Sequence, residues 1–164
     1  MYSLREIEAF AARFYEGLDL LITPYGYNLT FTGLAQNATD TQNINIAANA
    51  DFIVLGLRHF AFVVGAETGI DVSTKAAPSV RILITDTGSS EQFTAQAVAL
   101  ENYSQNDSKD VPLPYPRIAS GRTALNVQAT NFSGGAGETY TFDLFFSGVL
   151  VRAYSGPGAV RAGA

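Results

Sequence analysis

Hydrophobic residues recur along this chain with two different periods, and the change from one to the other falls near residue 25. Leu4, Ile7, Phe10, Ala11, Phe14 and Leu18 return at steps of three and four, which puts them on one face of a helix. Glu6, Glu8, Arg13 and Glu16 fall elsewhere on it. Ser3 placed three positions before Glu6 is a capping-box pattern, in which each side chain satisfies a free backbone N–H at the helix start. Gly17 supplies a stop. Two destinations are open for the apolar face: the protein's own sheet, or a neighbouring subunit.

From Tyr25 onward the period is two. Tyr27, Leu29 and Phe31 alternate with Asn28, Thr30 and Thr32 up to Gly33, which predicts a half-buried strand. Thr41 to Ala47 is a second, short strand with Ile44 and Ile46 on one side. Asp51 to Val64 is apolar almost throughout, so both of its faces must be covered, and Gly56 marks a bulge or bend within it. Further strands are expected at Ser79 to Thr85, more weakly at Glu91 to Ala99 through Phe93, Ala95 and Ala97, at Thr123 to Thr130, and at Glu138 to Tyr154, the longest clean alternation. Loops are expected at 65–78, at 131–137 and over the polar, exposed stretch 102–110, with a turn at Asp86-Thr87-Gly88. Val111-Pro112-Leu113-Pro114-Tyr115-Pro116 cannot be a central strand, because proline has no N–H to give to a ladder; it reads as an edge segment or connector.

The sum is seven or eight strands with no helical crossovers between them. That pattern predicts a mainly β fold, an antiparallel β-sandwich of jelly-roll type with one short N-terminal α-helix. The organisation expected is a helix and arm over residues 1–22, the sandwich over 23–154, and a Gly/Ala-rich tail over 155–164.

Composition adds one thing to this picture. Only 15% of the 164 residues are charged and 47% are apolar, against about 25% charged in a typical domain. A chain so poor in charge is expected to have part of its surface covered by neighbours. The net charge of −5 and the absence of any basic cluster argue against nucleic acid as a partner. No apolar run reaches the roughly 18–20 residues of a membrane span, so no membrane partner is expected. With no cysteine, disulfides, thiol catalysis and thiolate metal sites are excluded. The opening Met1-Tyr2-Ser3-Leu4-Arg5-Glu6 does not read as a secretion signal, so folding in a cytoplasm is expected.

Catalytic patterns are weak. His59 is the only histidine and sits inside the most apolar strand, where a packed or interface role, or pH sensing, fits better than catalysis. No motif marks any two of Asp51, Asp86 and Asp143 as a working pair. Residues 107–110 lack the spacing and central glycine of a calcium loop, and no Gly-Lys-Ser/Thr follows the glycines at 134–137. The reading is therefore of a protein that is not an enzyme and takes no cofactor or metal.

Several segments carry a resemblance. Arg81-Ile82-Leu83-Ile84-Thr85-Asp86-Thr87-Gly88-Ser89 is followed by Val98-Ala99-Leu100-Glu101-Asn102 and then by Pro112-Leu113-Pro114-Tyr115-Pro116-Arg117. Thr123 to Asn131 and Tyr140 to Val149 complete the series. In this order they resemble small β-sandwich structural proteins of tailed bacteriophage virions, over about residues 52–152. The resemblance implies a non-enzymatic virion component, made in the host cytoplasm, acting as a capsid decoration or cement protein that bridges shell subunits. A neck, collar or tail position is the alternative within that class. A carbohydrate- or receptor-binding β module, using tyrosines such as Tyr103, Tyr115 and Tyr154, is the alternative outside it. The partners implied are copies of the chain itself, as a dimer or trimer, and the major capsid protein or other virion proteins. The candidate assembly surface consists of Leu4, Ile7, Phe10, Phe14 and Leu18 on the helix, and Pro112, Leu113, Pro114, Tyr115 and Pro116 in the proline segment, with the tail at 155–164 beside them.

Overall fold

The computed structural model describes residues 2–64, 78–105, 109–134 and 139–154, with backbone alone at 62–64. The expected loop at 65–77, the centre of the polar stretch at 106–108, the glycine-rich turn at 135–138 and the tail at 155–164 lie outside the described residues. One helix, α1 (Leu4–Phe14), precedes eight strands: β1 (Asp19–Leu34), β2 (Thr39–Asn45), β3 (Asp51–Val64), β4 (Val80–Asp86), β5 (Val98–Ala99), β6 (Val111–Ala119), β7 (Ala124–Asn131) and β8 (Thr139–Tyr154). A 3₁₀ turn, Leu100–Asn102, follows β5.

The strands form two four-stranded sheets, in the orders β1-β8-β3-β6 and β2-β7-β4-β5. The pairs β1–β8, β3–β6, β2–β7 and β4–β5 are those of one long antiparallel hairpin; rolling it up adds β3–β8 and β4–β7. This is the jelly-roll arrangement. The inward positions of the alternating strands fill the space between the sheets. Phe31, Phe52, Phe142 and Phe146 are fully buried there, with Phe31 and Phe142 stacked at 4.7 Å between ring centroids.

A second apolar layer lies on the outer face of the first sheet. Ile7, Phe10 and Ala11 of α1 pack on Ile53, Val149 and Val151. The helix face therefore goes to the protein's own sheet, the first of its two possible destinations. Full burial of side chains such as Ile7 and Phe10 contributes about 1.5–3 kcal/mol each. The capping box forms as its pattern predicts: Ser3 N–H donates to Glu6 Oε2 at 2.7 Å, and Glu6 N–H donates to Ser3 Oγ at 3.3 Å. At the other end the Tyr15 hydroxyl donates to Asp51, whose second oxygen accepts the Gly121 N–H at 2.7 Å. One carboxylate thus ties the helix exit, the start of β3 and the β6–β7 turn together.

Four expectations need correction. Helix α1 ends at Phe14, a turn before Leu18, because Tyr15 leaves helical geometry for Asp51 and Gly17 turns the chain at φ +77°. Strand β1 starts at Asp19, not Tyr25, and so takes in part of the segment read as an arm. Its first residues show no alternation because Leu20 and Ile22 lie under the helix on the outer face, while β8 supplies a ladder as far as Tyr154. Residues 91–97 make only one bridge, Thr85 to Gln92, since Ala95 and Ala97 offer too little surface to bury. In the stretch 102–110, Tyr103 and Ser104 are buried rather than exposed. By contrast, β3 has the bounds expected of it, a register shift falls between Val54 and Gly56, and β6 is an edge strand.

Candidate functional site

The proline segment sets the geometry. Leu57 and Gly56 of β3 face Val111 and Pro112 of β6, and the next paired residue, Val54, faces Arg117. Residues 113–116 therefore leave the ladder and arch away from it. The prolines at 112, 114 and 116 fix their own φ and remove three donors, so this arch has few backbone groups to satisfy and little freedom to lose. Within it Leu113 turns into the core, its carbonyl accepting from the Tyr2 hydroxyl, while Tyr115 points out and is 57% exposed.

The exposed side of the arch meets the end of α1. The Phe10 ring lies 5.3 Å from Tyr115, edge-on, and 5.0 Å from Phe14, which is itself 57% exposed. Opposite them, across a groove of about 400 Å³, stand Phe93 and Glu91 of the β4–β5 connection, with Pro116 and Arg117 along its length. The Arg117 guanidinium sits 5.5 Å above the Phe93 ring and 3.6 Å from Glu91. A second groove, of about 550 Å³, runs along the other side of the arch past Pro112, Leu113, Pro114 and Tyr103. Tyr115 and Arg117 line both grooves and form the ridge between them.

The structure thus brings together Phe10, Phe14, Tyr115 and Pro116 from two segments that were nominated separately, and it leaves other nominees out. Ile7, and most of Phe10, are used up in packing against the sheet, so neither is free for a partner. Leu18 is half-buried beyond the helix end, and Leu113 belongs to the core. Leu4 is exposed at the helix start.

His59 faces the sandwich interior and is 1% exposed. Its Nδ1 lies 2.7 Å from Ser104 Oγ, and its Nε2 lies 3.2 Å from Glu101 Oε1 without the alignment of a hydrogen bond. Neither neighbour carries a motif that would have marked it in the sequence. The trio has the residue types of a hydrolase triad but is wired the other way round, with Nδ1 on the serine and Nε2 on the acid. Ser104 is fully buried. The geometry suits a buried structural histidine held through Nδ1, with Nε2 beside the carboxylate but outside hydrogen-bond alignment. Burial pushes its pKa down from 6.5 to about 4, and burial also raises that of Glu101.

The sign of the linkage follows. Between about pH 4 and 6.5 the unfolded chain binds a proton at His59 that the fold does not. Stability from this group is complete above pH 6.5 and falls as the pH drops towards 4, by an amount approaching about 3 kcal/mol. Glu101 acts in the opposite sense and offsets part of the loss. Urea unfolding at pH 7 and pH 4.5 should show that drop, and His59→Gln should flatten it; an unchanged slope in the variant would remove His59 from the explanation.

The three aspartates singled out in the sequence do not converge. Asp51 holds the helix exit, Asp86 accepts from Gly88 N–H at 2.9 Å and Ser89 Oγ at 2.7 Å within its turn, and Asp143 accepts from Thr30 on the open face of the first sheet. Among the described residues no three acidic or histidine side chains gather as metal ligands, and no helix is long and apolar enough to cross a membrane. No protein-family model matches the chain, and no curated protein matches it.

Proposed function

We propose that this chain is a non-catalytic structural protein of a tailed-bacteriophage virion, a capsid decoration or cement protein that docks through the aromatic ridge and groove between α1 and β6. The observation that carries the reading is the pair Phe14 and Tyr115, each 57% exposed at the mouth of one groove. Clustered exposed aromatics cost a lone protein solubility and serve an interface. Both are held rigidly, Phe14 in the last turn of a helix and Tyr115 between two prolines. A partner therefore gains their burial with little ordering cost. The jelly-roll topology and the order of the segments quoted above support the virion assignment. A repeated modest contact is enough for a cement protein, because every copy on a shell adds its own.

The test is co-sedimentation with empty shells of the major capsid protein. Phe14→Ala combined with Tyr115→Ala should keep the melting temperature nearly unchanged and weaken shell binding by about 2 kcal/mol or more, roughly thirtyfold. A double variant that binds like the native chain overturns the docking surface. Binding to tail or neck fractions instead of shells moves the protein within the virion class.

A second reading draws on the same groove. Aromatic faces beside Arg117 and Glu91 are also what a sugar ring uses, with its C–H face on the ring and its hydroxyls on the charged pair. A glycan-array signal lost in the same double variant, with no shell binding, puts this reading first.

A further inference from the structure

Each sheet of the sandwich has two edges, and three of the four are short, charged or interrupted. In the second sheet, β5 is two residues long; β2 is seven residues long and carries Asp40, whose carboxylate accepts the Thr41 N–H at 2.8 Å. In the first, β6 is blunted by its prolines and its arch. The fourth edge is β1. It is sixteen residues long, and from Leu20 to Leu34 it has no charged residue. Natural edge strands of this length are normally protected by lysines, prolines or bulges, because a bare row of N–H and C=O groups is a template for another strand.

The strand itself marks out which part of that edge is usable. Pro24 stands at one end, and a register shift follows Phe31 at the other, where Gly33 takes φ +63°. Among the described residues the regular, unblocked stretch is Tyr25 to Phe31, and its midpoint is Asn28. A proline is accommodated beside a ladder when its missing N–H faces away from the partner strand, so the Pro24 nitrogen faces the open edge. Alternation then turns the N–H and C=O of Gly26, Asn28 and Thr30 outward as well. These three are symmetric about Asn28.

We infer that β1 pairs antiparallel with β1 of a second copy of this chain, about a twofold axis at Asn28, so that two first sheets join into one continuous eight-stranded sheet. An antiparallel pair of identical strands is the self-complementary arrangement that a twofold produces. Asn28 then faces Asn28 of the second copy, and Gly26 faces Thr30, so small and neutral polar groups meet on this face of the pair. In the same register Tyr25, 47% exposed on the isolated chain, stands opposite Phe31, whose ring is buried in its own core. The strand's one charged residue, Asp19, is carried to opposite ends of the pair, some 60 Å apart by the rise of a strand and far beyond the screening length. The β2 edge offers a regular stretch of the same length, but it carries the charged Asp40, whose carboxylate already takes the Thr41 N–H. The inference takes from the assembly reading only that the chain works as copies of itself, and it uses a surface separate from the Phe14–Tyr115 groove.

The chain has no cysteine, so a single introduced one reports unambiguously. Asn28→Cys should be joined across the axis by a short thiol cross-linker. Tyr25→Cys, whose copies would stand about 20 Å apart along the paired strands, should not. In sedimentation velocity over a micromolar to sub-millimolar range the native chain should pass from monomer to dimer. Asn28→Lys, which sets two like charges face to face at an exposed position, should stay monomeric at every concentration with an unchanged far-UV spectrum. The Phe14/Tyr115 double variant should dimerise like the native chain. Loss of shell binding with dimerisation intact, or the reverse, tells a failure of one surface from a failure of the other. A native chain that stays monomeric, a dimer indifferent to Asn28→Lys, or β1 amides protected only when shells are added would each overturn self-pairing.

Discussion

Phe142→Ala is expected to lower the unfolding free energy by about 3–5 kcal/mol, which is a large part of the roughly 5–15 kcal/mol of a typical domain. Phe142 sits in the middle of β8, fully buried between the sheets and stacked on Phe31 at 4.7 Å. Strand β8 pairs with both β1 and β3, so its backbone cannot shift to fill the space a missing ring leaves. The lost transfer energy and the cavity therefore add. Urea unfolding should show a midpoint far below that of the native chain with a similar slope. A loss below about 1 kcal/mol would mean that the two rings are not packed as a pair in the core.

Gly148→Ala should be comparably damaging for the opposite reason. A Cβ at this position would stand 2.1 Å from the Ile53 carbonyl oxygen and 2.8 Å from the Phe52 ring. The register shift between Val54 and Gly56 lies alongside, on the neighbouring strand, where Val54 faces Gly148. The atom met first is backbone in a paired strand and cannot rotate away, so overpacking is expected at or above the usual ceiling of about 3 kcal/mol. Gly134→Ala is the matched control. Among the described residues nothing lies within 4 Å of its Cβ position, and the substitution should leave the melting curve where it was. Equal effects at the two glycines would contradict the placement of β3 against β8.

What could be read from the chain, and what could not, follows from the reach of each signal. Strand β3 announced itself from Asp51 to Val64 because a strand covered on both faces is apolar at nearly every position, and Gly56 interrupts that run at the register shift. Strand β8 announced itself by strict alternation from Tyr140 to Phe146. The start of β1 did not. Leu20-Leu21-Ile22 shows neither period, because Leu20 and Ile22 pack with α1 on the outer face while Leu21 between them is apolar although 48% exposed. The stretch 91–97 alternates weakly and makes a single bridge, since beyond Phe93, which packs on the core, Ala95 and Ala97 offer too little surface to bury. The candidate groove was half legible. Its two halves each carried a local mark, the Phe10/Phe14 stripe and the proline run, but they lie about a hundred residues apart and nothing in sequence spacing says that Tyr115 touches Phe10. The setting of His59 was not legible beyond its burial, because Ser104 lies in a stretch whose composition reads as solvent-exposed and no motif marks Glu101 just before it.

These elements describe a sandwich that spends one helix face on its own sheet and leaves an aromatic ridge on a proline arch exposed, the surface proposed above to dock on a shell. The measurement that tests this most directly is amide hydrogen exchange on the free chain and on the chain bound to capsid shells. The account predicts new protection at the end of α1, around Glu91 to Phe93 and through the arch from Leu113 to Ile118, with the outer face of the β2-β7-β4-β5 sheet unchanged. Protection confined to that sheet, with the arch exchanging as fast as before, would contradict it.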